Sequence, residues 1–171
     1  KDILARWAAA GAPSGDLSAL ASPPKFPDGW RLGEPHAVVG MRREFEIPAD
    51  GPDLYQCFVV PTNFDGPRYV RAFEFRPGNR RVVHHALLFI DAMGSAARSG
   101  PQYPCFGLPG FLPSGSLGGW TPGFQPAPYP PGTAVTIPKG SRLVLQIHYH
   151  PIGTRAADRS EVALYFGDAK P

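Results

Sequence analysis

The sequence predicts an all-β fold: an antiparallel jelly-roll β-sandwich, preceded by a short N-terminal helix and an extended arm. Three observations carry that expectation. Gly and Pro number 20 and 22 among 171 residues, and long helices do not survive breakers at that density. Hydrophobic residues make up 43% and aromatic residues 12%, enough apolar material for a core, so the breakers punctuate short elements and do not signal disorder. The apolar residues also recur with a period of two in several short runs bounded by turn residues, the pattern of a sandwich. Helical bundles, coiled coils and doubly wound α/β folds are excluded on the same grounds. Collagen is excluded because Gly has no three-residue period. The length suits one core.

Residues 2–11 read as a helix, with Ile3, Leu4 and Trp7 at helical spacing and Gly11 and Pro13 as its stop. Residues 12–35 read as an arm lying on a surface, pinned by Phe26, Trp30 and Leu32. The domain proper is expected over 36–171. Residues 36–47 alternate loosely, and Leu54 to Val60 is a compact β run. In Tyr69 to Phe75, Tyr69, Arg71, Phe73 and Phe75 fall on one face, and Val70, Ala72 and Glu74 on the other. Val82 to Ile90 is apolar on both faces, as in a buried strand. Residues 97–132 read as one long Gly/Pro/aromatic loop, and loops of that length are usually functional or disordered. Its aromatic residues argue for packing. Val135 to Ile137, Leu143 to Ile152 and Glu161 to Phe166 complete seven or so strands. No internal repeat is present.

The net charge of +3 is dispersed, so no nucleic-acid stripe is expected, and no run is long enough for a transmembrane helix. The opening reads as an amphipathic segment and not as a secretory signal. The two cysteines, Cys57 and Cys105, form no Cys-x-x-Cys, which excludes a zinc ribbon and covalent c-type haem. Either they pair or they are two separate buried thiols. A disulfide would fit an oxidising compartment and would tie the long loop, through Cys105, to the strand at Cys57.

Five histidines concentrate the chemistry: His36, His84, His85, His148 and His150. In Leu143 to His150, the residues Leu143, Leu145, Ile147 and Tyr149 form the apolar face, so His148 and His150 project together from the other. That is the geometry of a metal site on a sheet. Neighbours His84 and His85 point to opposite faces of a regular strand, and share a metal only if the strand bulges or twists, or if they use different ring nitrogens. Neutral imidazole suits copper, zinc, iron or nickel. No Cys in a ligand position argues against blue copper, and no Asp or Glu within the His clusters argues against a two-His-one-carboxylate iron site. His36 reads as a strand-edge or surface residue. Met41 and Met93 read as packing, with Met93 the better candidate for a thioether ligand. No G-x-S-x-G or phosphate-binding Gly loop occurs.

Val82-Val-His-His-Ala-Leu-Leu-Phe89 resembles the paired-His motif of the copper type II, ascorbate-dependent monooxygenases, the family of peptidylglycine α-hydroxylating and dopamine β-monooxygenases. Leu143-Val-Leu-Gln-Ile-His-Tyr149 resembles a His-bearing strand of that family, and Leu54-Tyr-Gln-Cys57-Phe58 its Cys-bearing early strand. The likeness runs from about residue 35 to 168 in the family's order. It implies a jelly roll holding one copper ion through His84, His85 and His148. His148 with His150 also matches the spacing of the family's second, oxygen-activating site. The chain is long enough for one such domain, and hydroxylation needs two coppers. The resemblance thus implies an extracytoplasmic (periplasmic or secreted) electron-transfer copper domain. The alternative is a structural or accessory subunit of a larger, membrane-associated redox complex. A mononuclear metal oxygenase or hydrolase with His150 as fourth ligand is a third reading. Residues 3–16 are similar to the last helix of bacterial c-type cytochrome domains. Any haem is therefore expected on an upstream domain or a partner, with a c-type cytochrome or larger redox complex as the partner.

Overall fold

A computed structural model describes residues 1–22 and 29–167. Phe26 lies outside the described residues. The chain folds into two stacked antiparallel sheets. In order, the elements are helix α1 (Asp2–Ala9), β1 (Ala37–Gly40), β2 (Phe45–Ile47), β3 (Leu54–Pro61), β4 (Arg68–Arg76), β5 (Val83–Asp91), β6 (Gln102–Pro104), β7 (Gly115–Trp120), β8 (Val135–Ile137), β9 (Arg142–Tyr149), β10 (Ala156–Asp158) and β11 (Glu161–Phe166). Short 3-10 turns span Leu17–Ala19 and Ser95–Ser99. One sheet has the order β1-β11-β4-β8 and the other β6-β3-β9-β5-β7, with β10 and β2 forming a small third ladder.

The core lies between the two large sheets. From β9 it takes Leu143, Leu145, Ile147 and Tyr149, the face that alternation assigned to it. From the opposite sheet come Val70, Phe73, Phe75, Val162 and Leu164. Val70 departs from its expected face. Tyr165 pairs with Ala72 but Phe166 pairs with Val70, so a bulge falls at Arg71. The extra residue turns Val70 inward beside Phe73 and Phe75, while Arg71 stays outside and donates from Nε to the Phe166 carbonyl at 3.1 Å.

The described end of the arm is pinned at Trp30 and Leu32, as expected. Trp30 and Leu32 pack on Ala72, Ala163 and Tyr165, on the outer face of the four-stranded sheet. The Tyr165 hydroxyl donates to the Gly33 carbonyl at 3.0 Å. Helix α1 buries none of its residues.

Three expectations need correction. Residues 97–132 are not one structureless loop, because they supply β6 and β7, the two edges of the five-stranded sheet. Neither edge carries a period-two signal. β7 reads Gly-Ser-Leu-Gly-Gly-Trp, and its glycines are required by close approach: a Cβ on Gly119 would sit 3.0 Å from Leu87 Cδ2 and 3.2 Å from the Ala86 carbonyl. The described residues form eleven strands, because residues 36–47 split into two strands and β10 joins the set. The His-bearing strand ends at Tyr149, not at Ile152, because Pro151 has no N–H to continue a ladder.

Among the described residues no helix is long and apolar enough to cross a membrane.

Candidate metal centre

The site forms on the outer face of the five-stranded sheet, where β9 runs between β3 and β5. Tyr55 of β3 lies opposite His148 in the ladder, and His85 of β5 lies opposite His148 on its other side. His84 is placed by an irregularity. Val83 pairs with Tyr149 and His85 with His148, so β5 spends two steps where β9 spends one. His84 is the extra residue of that bulge, and the bulge resolves the problem of adjacent residues on opposite faces.

The three rings converge through one kind of atom. His84 Nδ1 lies 3.4 Å from His85 Nδ1, which lies 3.2 Å from His148 Nδ1. Among the described residues, these form the one group of His, Cys, Asp or Glu side chains able to share an ion, with all ligand atoms within 4.8 Å of one another. At a metal–nitrogen bond of about 2.0 Å, separations of 3.2 and 3.4 Å subtend angles of about 106° and 116°. The donor set therefore fits a metal ion. His148 is buried, His85 half-buried and His84 exposed, so the site opens to solvent on the His84 side. Burial holds the His85 imidazole below its ordinary pKa, and charge on His148 and His84 pushes the same way. That keeps it in the neutral form that ligates.

Aromatic rings wall the buried side. Tyr55 stacks face to face on His148, with centroids 4.2 Å apart and planes 7° apart. Phe106 meets the Tyr55 ring edge-on at 4.7 Å and is itself exposed. Phe106 is fixed by its neighbour: Cys105 forms a disulfide with Cys57 of β3. A small cluster of Cys57, Phe89, Ala96 and Val144 continues this outer layer, joined by Tyr103 and Phe111. Gln146 is buried beneath it, with Nε2 3.5 Å from Cys105 Sγ. The long loop is thus ordered and covers part of the sheet face next to the histidines.

Sequence reasoning missed Asp53. Its Oδ2 lies 2.7 Å from His148 Nε2, and its Oδ1 lies 2.7 Å from His150 Nδ1. The hydrogen bonds from His150 and His148 hold its carboxyl below the ordinary range, so the ionised carboxylate accepts from both rings. The signal that could have found it is alternation: Asp53, Tyr55 and Cys57 share a face, but only the ladder register, which ends one step away at Leu54 with Tyr149, brings Asp53 to His150.

His150 does not join the other three. Its ring turns to Asp53 and its side chain is 65% exposed. Met93 follows the far end of β5, eight residues or about 26 Å along the strand from His85. It is exposed and is not brought to the trio. Met41 is buried and packs in the core. His36 sits at the edge of β1 against Phe166, as a surface residue.

A second missed carboxylate, Asp158, braces the approach to both His strands. It is buried, and it accepts from the Asn79 N–H at 2.8 Å, the Tyr149 hydroxyl at 2.9 Å and the Ser160 hydroxyl at 2.7 Å. Asn79 stands just before β5, and Tyr149 lies between His148 and His150. Burial, the Asp158 charge and that hydrogen bond push the Tyr149 phenol far above its ordinary pKa.

No family model and no curated protein matches the chain.

Proposed function

We propose that the domain holds one copper ion through His84, His85 and His148 and relays single electrons. The observation that carries this reading is the convergence of three Nδ1 atoms on one open-sided point. An all-imidazole set suits copper among the metals that histidine takes, and both cysteines are committed to the disulfide, so no thiolate competes. The resemblance of the two His motifs to the ascorbate-dependent monooxygenases points to the same ion.

Copper bound there supplies one-electron cycling between Cu(I) and Cu(II). The protein's own residues do the rest. The bulge at His84 brings two adjacent imidazoles to one point. Tyr55 and the disulfide-tied loop keep His148 buried and its ring plane fixed. Exposed His84 leaves a path for a small reductant or an oxidant. Hydroxylation needs a second copper site, and the described residues contain one His cluster. The disulfide favours a periplasmic or secreted location.

Metal analysis and electron paramagnetic resonance on wild type, His84→Ala and His148→Ala test this. One Cu(II) per chain with nitrogen hyperfine coupling, lost in both variants, is expected. A protein that takes up no copper sinks the reading.

A second reading, an accessory subunit of a redox complex, draws on the apolar side chains left in solvent. Ile3, Leu4 and Trp7 of α1 and Phe106, Leu108 and Leu112 of the 97–132 segment are all exposed. A c-type cytochrome is the partner the sequence suggests. Loss of assembly on deleting residues 1–35, with copper removal having no effect, favours this reading.

A further inference from the structure

We infer that Asp53 is the positioning residue of the metal centre: it selects the tautomer of His148 that aims Nδ1 at the ion, and it makes that ring a stronger donor to Cu(II). The inference rests on the copper reading above for the second half only. An imidazole has two nitrogens, and the hydrogen bond made by one decides which is free to ligate. His148 Nε2 faces Asp53 Oδ2 at 2.7 Å, while its Nδ1 faces His85 Nδ1 at 3.2 Å. An ionised carboxylate only accepts, so the ring proton of His148 stays on Nε2. The Nδ1 lone pair is then left pointing into the trio. Among the described residues, His84 and His85 have no carboxylate hydrogen-bond partner; they face each other and His148. His148 is therefore the one ligand of the three that is oriented from behind.

His150 has a role in this arrangement although it does not ligate. Its Nδ1–H occupies the other oxygen of Asp53 at 2.7 Å, and its backbone N–H bonds the Val82 carbonyl at 2.9 Å. It clamps the carboxylate between two strand ends. Asp53 is well exposed, with 40% of its side-chain surface open. A solvated carboxylate there would rotate freely unless both oxygens were held. The His-x-His spacing on β9 thus encodes one ligand and one clamp, not two ligands.

Carboxylates behind metal-bound histidines are worth about 10–100-fold in metal affinity. Asp53→Asn keeps an oxygen acceptor but removes the charge. It is expected to weaken Cu(II) binding by about 10–100-fold, with the three-nitrogen hyperfine pattern kept. If Cu(I) affinity is unchanged, that converts to a midpoint potential higher by about 60–120 mV. Asp53→Glu is expected to restore most of the loss. His150→Ala is expected to retain the nitrogen count. The tautomer is read separately, on metal-free protein, from the ring nitrogen chemical shifts of His148. Wild type is expected as Nε2–H, and Asp53→Ala as a mixture of the two forms. Overturning results are an Asp53→Asn protein that binds Cu(II) within two- to threefold of wild type, a His148 tautomer unaffected by Asp53→Ala, or loss of one coordinated nitrogen in His150→Ala. If wild type binds no copper, the copper reading fails, and the tautomer measurement alone decides whether Asp53 orients His148.

Discussion

Tyr149→Phe tests whether the Asp158 network holds the two His strands in place. The substitution removes one oxygen and leaves the ring. The stacking on Phe45, at 5.3 Å between centroids, and the edge contact with Phe58 at 6.4 Å survive. What is lost is a 2.9 Å hydrogen bond from a buried hydroxyl to a buried carboxylate. Hydrogen bonds to charged groups contribute about 1.5–3 kcal/mol. At about 2–4 °C per kcal/mol for a chain of this size, the melting temperature should fall by about 3–12 °C. The pH dependence gives an independent check. In the unfolded chain the phenol titrates near its ordinary value of about 10. In the folded protein burial and Asp158 hold it protonated well above that. A raised folded pKa means stability that is fully present below pH 10 and lost above it, at about 1.4 kcal/mol per pH unit. The Phe variant has no such proton. The stability gap between wild type and variant should therefore narrow by about 1.4 kcal/mol between pH 9 and 11. Tyr129, pushed to about 12 by burial, declines equally in both proteins and cancels. Urea titrations of metal-free, disulfide-intact protein at several pH values supply the measurement. A variant that loses under 0.5 kcal/mol near pH 7, or a gap constant up to pH 11, would refute the role given to this bond.

Replacing Cys57 and Cys105 together by Ser opens a loop of sequence separation 48 and should cost about 4 kcal/mol by chain entropy, read as a lower urea midpoint. The same variant should also expose the Tyr55–His148 stack, seen as faster proteolysis of the 97–112 segment. Gly78→Ala would place a Cβ 2.6 Å from the Arg159 carbonyl oxygen and 2.7 Å from its N. Both neighbours are backbone and cannot swing away, so a loss of about 1–3 kcal/mol is expected in thermal unfolding. Tyr55→Ala removes three ring contacts, with His148, Phe106 and His85, and should cost about 1.5–4.5 kcal/mol; unchanged stability would argue against the stack as a support for His148.

Much of this protein is local and was therefore readable from its residues. Alternation along 143–149 separated the core face of β9 from the face that carries His148, because side chains on a strand alternate whatever the strand pairs with. The pairing of His84 with His85 in an apolar run marked a site and left three ways to share it, a bulge, a twist or different ring nitrogens, among which the register selects the bulge. The breaker-rich stretches marked the arm that lies on the four-stranded sheet, but the stretch 97–132 also supplies the two edge strands of the other sheet. What depends on register was not readable. The bulge at Arg71 that turned Val70 inward, the edge strand β7 built on glycines, and the placing of Asp53 behind His148 all come from how distant strands align. One residue of slip moves every side chain to the opposite face. His150 shows the division most clearly. Its spacing from His148 put it on the ligand side, and that was correct about the face. Only the β3–β9 ladder, ending at Leu54 with Tyr149, brought Asp53 beside it, and the ring turns to that carboxylate and away from the trio. The sequence by itself determined an all-β sandwich, the candidate ligands and the sheet face they occupy. Tertiary structure decided which of them meet, because convergence of Nδ1 atoms to within a few ångströms is a property of three strands in register and of no single segment.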